Sequence, residues 1–125
     1  MAKILIVDDA MFMRETLKQM LEAHGHVIVG EAEEGNEAIQ KFVETQPDLV
    51  ILDITMPGMD GIEALQQIRQ RDRKAKVIIC SALGQQEIVA QAIVYGAEDF
   101  IVKPFEVAQL VAAVEKVLKQ KENRG

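Results

Sequence analysis

The chain is 125 residues long, 49% apolar and 27% charged, with a formal charge of −6 and a single cysteine, which suits one domain over 1–125 that buries roughly two thirds of the surface its unfolded form exposes. The acid excess excludes a nucleic-acid surface, which needs clustered Lys and Arg to displace counterions. One cysteine excludes an internal disulfide, and no apolar run approaches the ~18 residues that cross a membrane.

The N-terminus goes straight into the strand-like "KILIV" (3–7), with none of the zones of a secretion signal, so a cytoplasmic protein is expected. That strand runs into Asp8 and Asp9. A first helix follows, with Met13, Leu17, Met20 and Leu21 on one side. His24, Gly25 and His26 read as a surface turn, since neither histidine has a Cys or His partner at metal spacing. The second strand, "HVIVGEA" (26–32), runs out through Gly30 and Glu31 without a chemically useful terminus, which places it at the sheet margin. Ala38, Ile39, Phe42 and Val43 form the apolar side of the second helix.

The third strand, "DLVIL" (48–52), ends at Asp53. After the "PGMDG" turn at 57–61, Asp60 and Glu63 look like a helix N-cap with a reciprocal acid, and Ile62, Leu65 and Ile68 form the third apolar stripe. The basic run from Arg69 to Lys76 reads as a solvated helix end. In the fourth strand, "KVIIC" (76–80), Cys80 is a small core hydrophobe and Ser81 follows. The fourth helix sends Ile88, Val89, Ala92 and Ile93 to the core and leaves Val94 and Tyr95 over. The fifth strand, "DFIV" (99–102), ends at Lys103, and Val107, Leu110, Val111, Val114, Val117 and Leu118 stripe the last helix. The tail, about 119–125, has nothing apolar to bury and is expected to fray.

Short β-branched runs alternating with longer helical periods predict βα units on a doubly wound parallel sheet, an α/β fold. In such sheets the carboxyl ends of the strands share one edge, where ligands bind. Asp8, Asp9, Asp53, Ser81 and Lys103 should therefore converge. Three carboxylates and one ammonium leave −2, and two like charges ~4 Å apart repel by about 4 kcal/mol at an effective dielectric of ~20, so a divalent cation is called for. Hard oxygen ligands without Cys or His point to Mg2+. One carboxylate is then free to attack phosphorus and form a mixed anhydride. Asp53, alone at its strand end, is the candidate, with Lys103 and the Ser81 hydroxyl as the clamp.

The motifs "ILIVDD", "LVILDITMPGMDGIEAL", "CSA" and "FIVKPF", in this order and spacing, resemble a response-regulator receiver domain over nearly the whole chain. "DDAMFMR" and "SALGQQEIV" are most similar to its stand-alone chemotaxis members, which lack an effector domain. The resemblance implies a flavodoxin-like (βα)5 fold with strand order 2-1-3-4-5. It implies that Asp53 is the phosphoacceptor for a chemotaxis-type histidine kinase, and that Asp9, Asp53 and the backbone carbonyl of Thr55 ligate Mg2+, with Asp8 acting through water. Ser81 matches the switch hydroxyl, Lys103 the phosphoryl counter-ion and Phe100 the switch aromatic, where the best-known members have tyrosine. A cis Lys103–Pro104 bond is implied as well. The face formed by the fourth helix, fifth strand and fifth helix would switch to bind an output partner, the flagellar motor switch protein, with a phosphatase as a further partner. The protein would be a cytoplasmic monomer and a signalling phosphoacceptor, its chemistry limited to assisting its own Mg2+-dependent phosphorylation and dephosphorylation.

Three other classes share parts of this pattern. A haloacid-dehalogenase-type phosphatase would want a second acid at Thr55 and an inserted cap. An FMN protein of the same fold would need a Ser/Thr/Gly-rich phosphate loop where "DDAMFMR" stands. A pseudo-receiver, binding partners without phosphorylation, would have no use for the intact acidic set.

Overall fold

A computed structural model of the chain describes residues 1–54 and 61–123, the last three by backbone alone. The elements alternate as β1 (Lys3–Val7), α1 (Met11–Ala23), β2 (Val27–Ala32), α2 (Gly35–Thr45), β3 (Leu49–Asp53), α3 (Gly61–Arg71), β4 (Val77–Ala82), α4 (Gln86–Val94), β5 (Asp99–Lys103) and α5 (Val107–Asn123). The five strands form one parallel sheet in the order β2-β1-β3-β4-β5. This is the expected doubly wound α/β architecture, and β2 lies at the margin as its sequence suggested. Asp53, Ser81 and Lys103 belong to their strands instead of following them, which lengthens β3, β4 and β5 toward the site.

Alternation of side chains along the buried strands divides the core into two layers. Leu5, Val7, Val50, Leu52, Val77 and Ile79 meet α2, α3 and α4 on one face, through residues such as Phe42, Leu65, Ile68 and Ala92. Ile4, Ile6, Ile51, Ile78 and Ile101 meet α1 and α5 on the other, through Leu17, Leu21, Leu110, Val114 and Val117. Cys80 is buried in the second layer, as expected. Burial pushes its thiol up to about 12, with Lys103 opposing and Asp8 and Asp53 adding to the rise, so it stays protonated and inert. No helix among the described residues is long and apolar enough to cross a membrane.

Four sequence expectations change. Val43 is exposed, because Ala38, Ile39 and Phe42 already fill the contact of α2 and leave Val43 at the groove beside Arg71 and Asp72. Ile93 is more exposed than buried-looking sequence implied, since α4 docks through Val89 and Ala92 and Ile93 turns toward a lateral cavity. Val107, in the first turn of α5, is also exposed. Lys76 is the largest departure: only 3% of it is accessible, and its ammonium lies 4.0 Å from the buried Glu98 carboxylate, so the basic run is not solvated to its end.

Side chains cap the second helix. Glu34 caps α2 by accepting from the Asn36 and Glu37 amides, while Glu37 reaches back one residue past the cap and accepts from the Glu33 amide at 2.7 Å. The box expected at Asp60 lies outside the described residues. At the end of α2, Gln46 takes a left-handed φ of 45° before Pro47. His26, instead of lying free in its turn, accepts the Ala2 amide at Nδ1 over 3.2 Å.

Candidate functional site

Sheet register assembles the site. Val7 pairs with Leu52, so Asp8 lies beside Asp53 at the carboxyl edge; Asp53 pairs with Cys80, which puts Ser81 one residue beyond; and Ala82 pairs with Lys103. The chain crosses from one side of β1 to the other between β2 and β3, so this edge includes the switch point of a doubly wound sheet. Every described residue that the sequence nominated from a strand end is brought there. Thr55 lies outside the described residues.

Asp8, Asp53 and Ser81 are buried, whereas Asp9 is exposed. Ligand oxygens of the three aspartates all lie within 4.8 Å of one another, close enough to share one cation. Asp8 is held on every polar atom. Its amide donates to the Ala32 carbonyl at 3.0 Å, its Oδ1 accepts the Ala10 amide at 2.9 Å, its Oδ2 accepts Lys103 Nζ at 2.7 Å, and its carbonyl accepts Arg14 Nη1 at 2.8 Å. Lys103 also stands 3.6 Å from Asp53 Oδ2. The Lys103–Pro104 bond is cis, as the resemblance implied.

Burial pulls the Lys103 ammonium pKa down, but the hydrogen bond to Asp8 and the charges of Asp53 and Asp8 outweigh it and hold the group above its ordinary 10.5. A base raised in the folded state lends stability that is complete below its unfolded value and disappears as pH rises through the folded one. The stability difference between the wild type and Lys103→Met should therefore be constant below pH 10.5 and narrow above it, as read from denaturant midpoints. A gap that is unchanged at alkaline pH would show that the ammonium is not coupled to the carboxylates.

Ser81 differs from its neighbours. Its Oγ is buried, and among the described residues no hydrogen-bond partner reaches it. Leaving a buried hydroxyl unpaired costs about 1–3 kcal/mol, so such a group calls for an acceptor. Behind it lies an apolar cavity of about 430 Å3 lined by Val89, Ile93 and Val102, among others, with Phe100 on its wall and 45% exposed.

Two groups at the site were missed by sequence reasoning. Arg14 is only 7% accessible and ties the first turn of α1 to Glu31 and Glu33. Its signal was present, since it shares the stripe of Leu17 and Leu21 at helical spacing, where a charge is out of place. Gly61 was read as turn punctuation, yet a Cβ there would lie 2.3 Å from the Ile54 Cα and 2.7 Å from the Asp53 carbonyl oxygen. Nothing local in the sequence shows that approach.

The acidic cluster fits a hard divalent cation, because its donors are carboxylate oxygens and one of them remains exposed to water. A family model described as "Response regulator receiver domain" matches residues 4–115. The chemotaxis protein CheY of Listeria monocytogenes is 56% identical over 119 residues, 95% of this chain and all of the relative. CheY of Bacillus subtilis is 53% identical over 116 residues, 93% of this chain and 97% of the relative. Among solved structures, the CheX-CheY-BeF3-Mg+2 complex from Borrelia burgdorferi contains a chain 41% identical to this one, with a TM-score of 0.88 over 92% of this chain and 87% of that one. Matched from strand to final helix by sequence and fold alike, the chain belongs to the response regulator receiver domain family and is a CheY-like signalling protein.

Proposed function

We propose that Asp53 accepts a phosphoryl group from a chemotaxis-type histidine kinase and that the modified site switches an output face. The observation that carries this reading is the buried Ser81 hydroxyl beside Asp53 and Lys103, which has no hydrogen-bond partner among the described residues and is a donor waiting for acceptor oxygens. In the transfer, an Asp53 oxygen forms a bond to phosphorus while the phosphorus–nitrogen bond of the donor histidine breaks, its electron pair returning to the imidazole. Asp9, Asp53 and the Thr55 carbonyl, with Asp8 through water, would hold Mg2+, which would supply charge neutralisation at the phosphoryl oxygens.

Lys103 is the counter-ion, already within ion-pair distance of Asp53. The new oxygens carry about −1.5 to −2 charge and give Ser81 Oγ an acceptor. As Ser81 moves toward them, the Phe100 ring turns into the adjacent cavity, biasing a two-state equilibrium of α4, β5 and α5. That face then binds the flagellar motor switch protein, and Val94 at the end of α4 and Tyr95 just beyond it, both exposed, are available for contact. A phosphatase returns the protein to rest, and the CheX complex of the Borrelia relative supports a second docking protein of this kind. On this reading the protein acts as a cytoplasmic monomer and is not a classical enzyme.

Radiolabel from a phosphorylated chemotaxis-type kinase should pass to both wild type and Ser81→Ala. Only the wild type should then gain affinity for the motor switch protein. No transfer to the wild type, or an equal gain in Ser81→Ala, contradicts the scheme.

A further inference from the structure

Arg14 is a buried guanidinium in an apolar helix stripe, and its donors diverge onto three acceptors. Nη1 donates to the Asp8 carbonyl at 2.8 Å, Nε to Glu31 at 3.1 Å and Nη2 to Glu33 at 3.3 Å. These acceptors lie on the β1–α1 corner, on β2 and just beyond β2. A leucine would fill the same stripe without the cost of desolvating a charge, and buried ion pairs are seldom the most stable solution for a core. The guanidinium's planar fork does what leucine and lysine cannot, fixing three separate oxygens from one rigid group.

The bond to Asp8 is the one that reaches the site. Asp8 has its amide, carbonyl and both carboxylate oxygens engaged, so its rotamer is set by four partners on different elements. Without Arg14, the carbonyl would be free to turn, and the Asp8 Oδ1 to Ala10 amide bond would turn with it. Glu31 and Glu33 each accept one further N–H and offset most of the positive charge, which keeps the guanidinium from competing with a cation for the carboxylates.

We propose that Arg14, anchored by Glu31 and Glu33, is a positioning residue that holds Asp8 in its cation-binding pose and thereby sets the affinity of the acidic site for Mg2+. This rests on the reading of Asp8, Asp9 and Asp53 as a Mg2+ site. Disrupting a partner that orients a metal ligand typically weakens binding by roughly 10–100-fold. Position and charge make opposite predictions. If Arg14 acted only as a nearby positive charge, Arg14→Met would tighten Mg2+ and Arg14→Lys would leave it unchanged. If it positions Asp8, both weaken it.

The test is calorimetric Mg2+ titration of the whole chain in wild type, Arg14→Lys, Arg14→Met and Glu31→Gln, together with hydrogen exchange at the Ala10 amide relative to core amides of β3. Arg14→Lys and Arg14→Met should lose roughly tenfold or more in affinity, with faster Ala10 exchange and unchanged exchange in β3. Glu31→Gln, which leaves the arginine in place but loosens it, should show a smaller loss in the same direction and covers the case in which an Arg14 variant fails to fold. Wild-type affinity in Arg14→Lys, or tighter binding in Arg14→Met, would overturn the proposal. Failure of the wild type itself to bind Mg2+ would refute the metal reading, and unchanged Ala10 exchange in the variants would separately refute the positioning.

Discussion

Asp53→Asn is expected to raise the thermal stability of the metal-free protein while removing most of the stabilisation that Mg2+ confers. Asp53 is 3% accessible and shares a 4.8 Å neighbourhood with Asp8 and Asp9. At an effective dielectric of ~20, each carboxylate pair at that separation repels by about 3.5 kcal/mol, and Lys103 at 3.6 Å attracts by about 4.6 kcal/mol. Solvent screens the share of the exposed Asp9, so the repulsion that remains is about 1–2 kcal/mol, to which the cost of burying the carboxylate adds. Removing the charge should raise the melting temperature by several degrees for a domain of this size. A ligand that binds only the folded state stabilises it by mass action, so the wild type should gain further with added Mg2+ and the variant much less. A lower melting temperature in the variant, or equal Mg2+ responses, would show that the three carboxylates do not act as one site.

Gly61→Ala should damage both fold and site. A Cβ at this position would meet the backbone of Ile54 at 2.3 and 2.9 Å and the Asp53 carbonyl oxygen at 2.7 Å, all of them atoms that cannot rotate away. Either the start of α3 or the end of β3 must shift, at an overpacking cost on the order of 1–3 kcal/mol. Because Asp53 sits at that contact, its reacting oxygen shifts too, and a misplacement of about 1 Å can slow a reaction by ~10²-fold. Gly25→Ala is the control. Gly25 has a φ of +87° but no atom within 4 Å of where a Cβ would stand, so alanine there costs only backbone conformation and should leave phosphoryl acceptance intact.

Local chemistry and periodicity carried most of the fold. The five apolar runs and the stripes of α1, α3 and α5 could be read because burial on both faces of a parallel sheet leaves continuous β-branched sequence, and helices covering it leave a 3.6-residue period. The convergence of Asp8, Asp9, Asp53, Ser81 and Lys103 was legible for a topological reason, since parallel strands put all their carboxyl ends on one edge. What stayed hidden depends on contacts between elements distant in sequence. Lys76 looked solvated because Glu98, its neighbour in space, is far along the chain. Arg14 is out of place on the stripe of α1, but its role depends on Glu31, which reaches it only when α1 lies against β2. Gly61 looked like a turn residue until α3 was placed on the end of β3. The apolar faces of α2 and α4 were overestimated at Val43 and Ile93 because period alone does not fix how wide a stripe the sheet can cover.

The most direct test of the phosphoacceptor assignment is intact-protein mass spectrometry after incubation with acetyl phosphate and Mg2+, followed by peptide mapping. The wild type should gain the mass of one phosphoryl group, carried by the peptide that contains Asp53, and Asp53→Asn should gain none. No added mass on the wild type, or an undiminished gain in Asp53→Asn, would contradict the account.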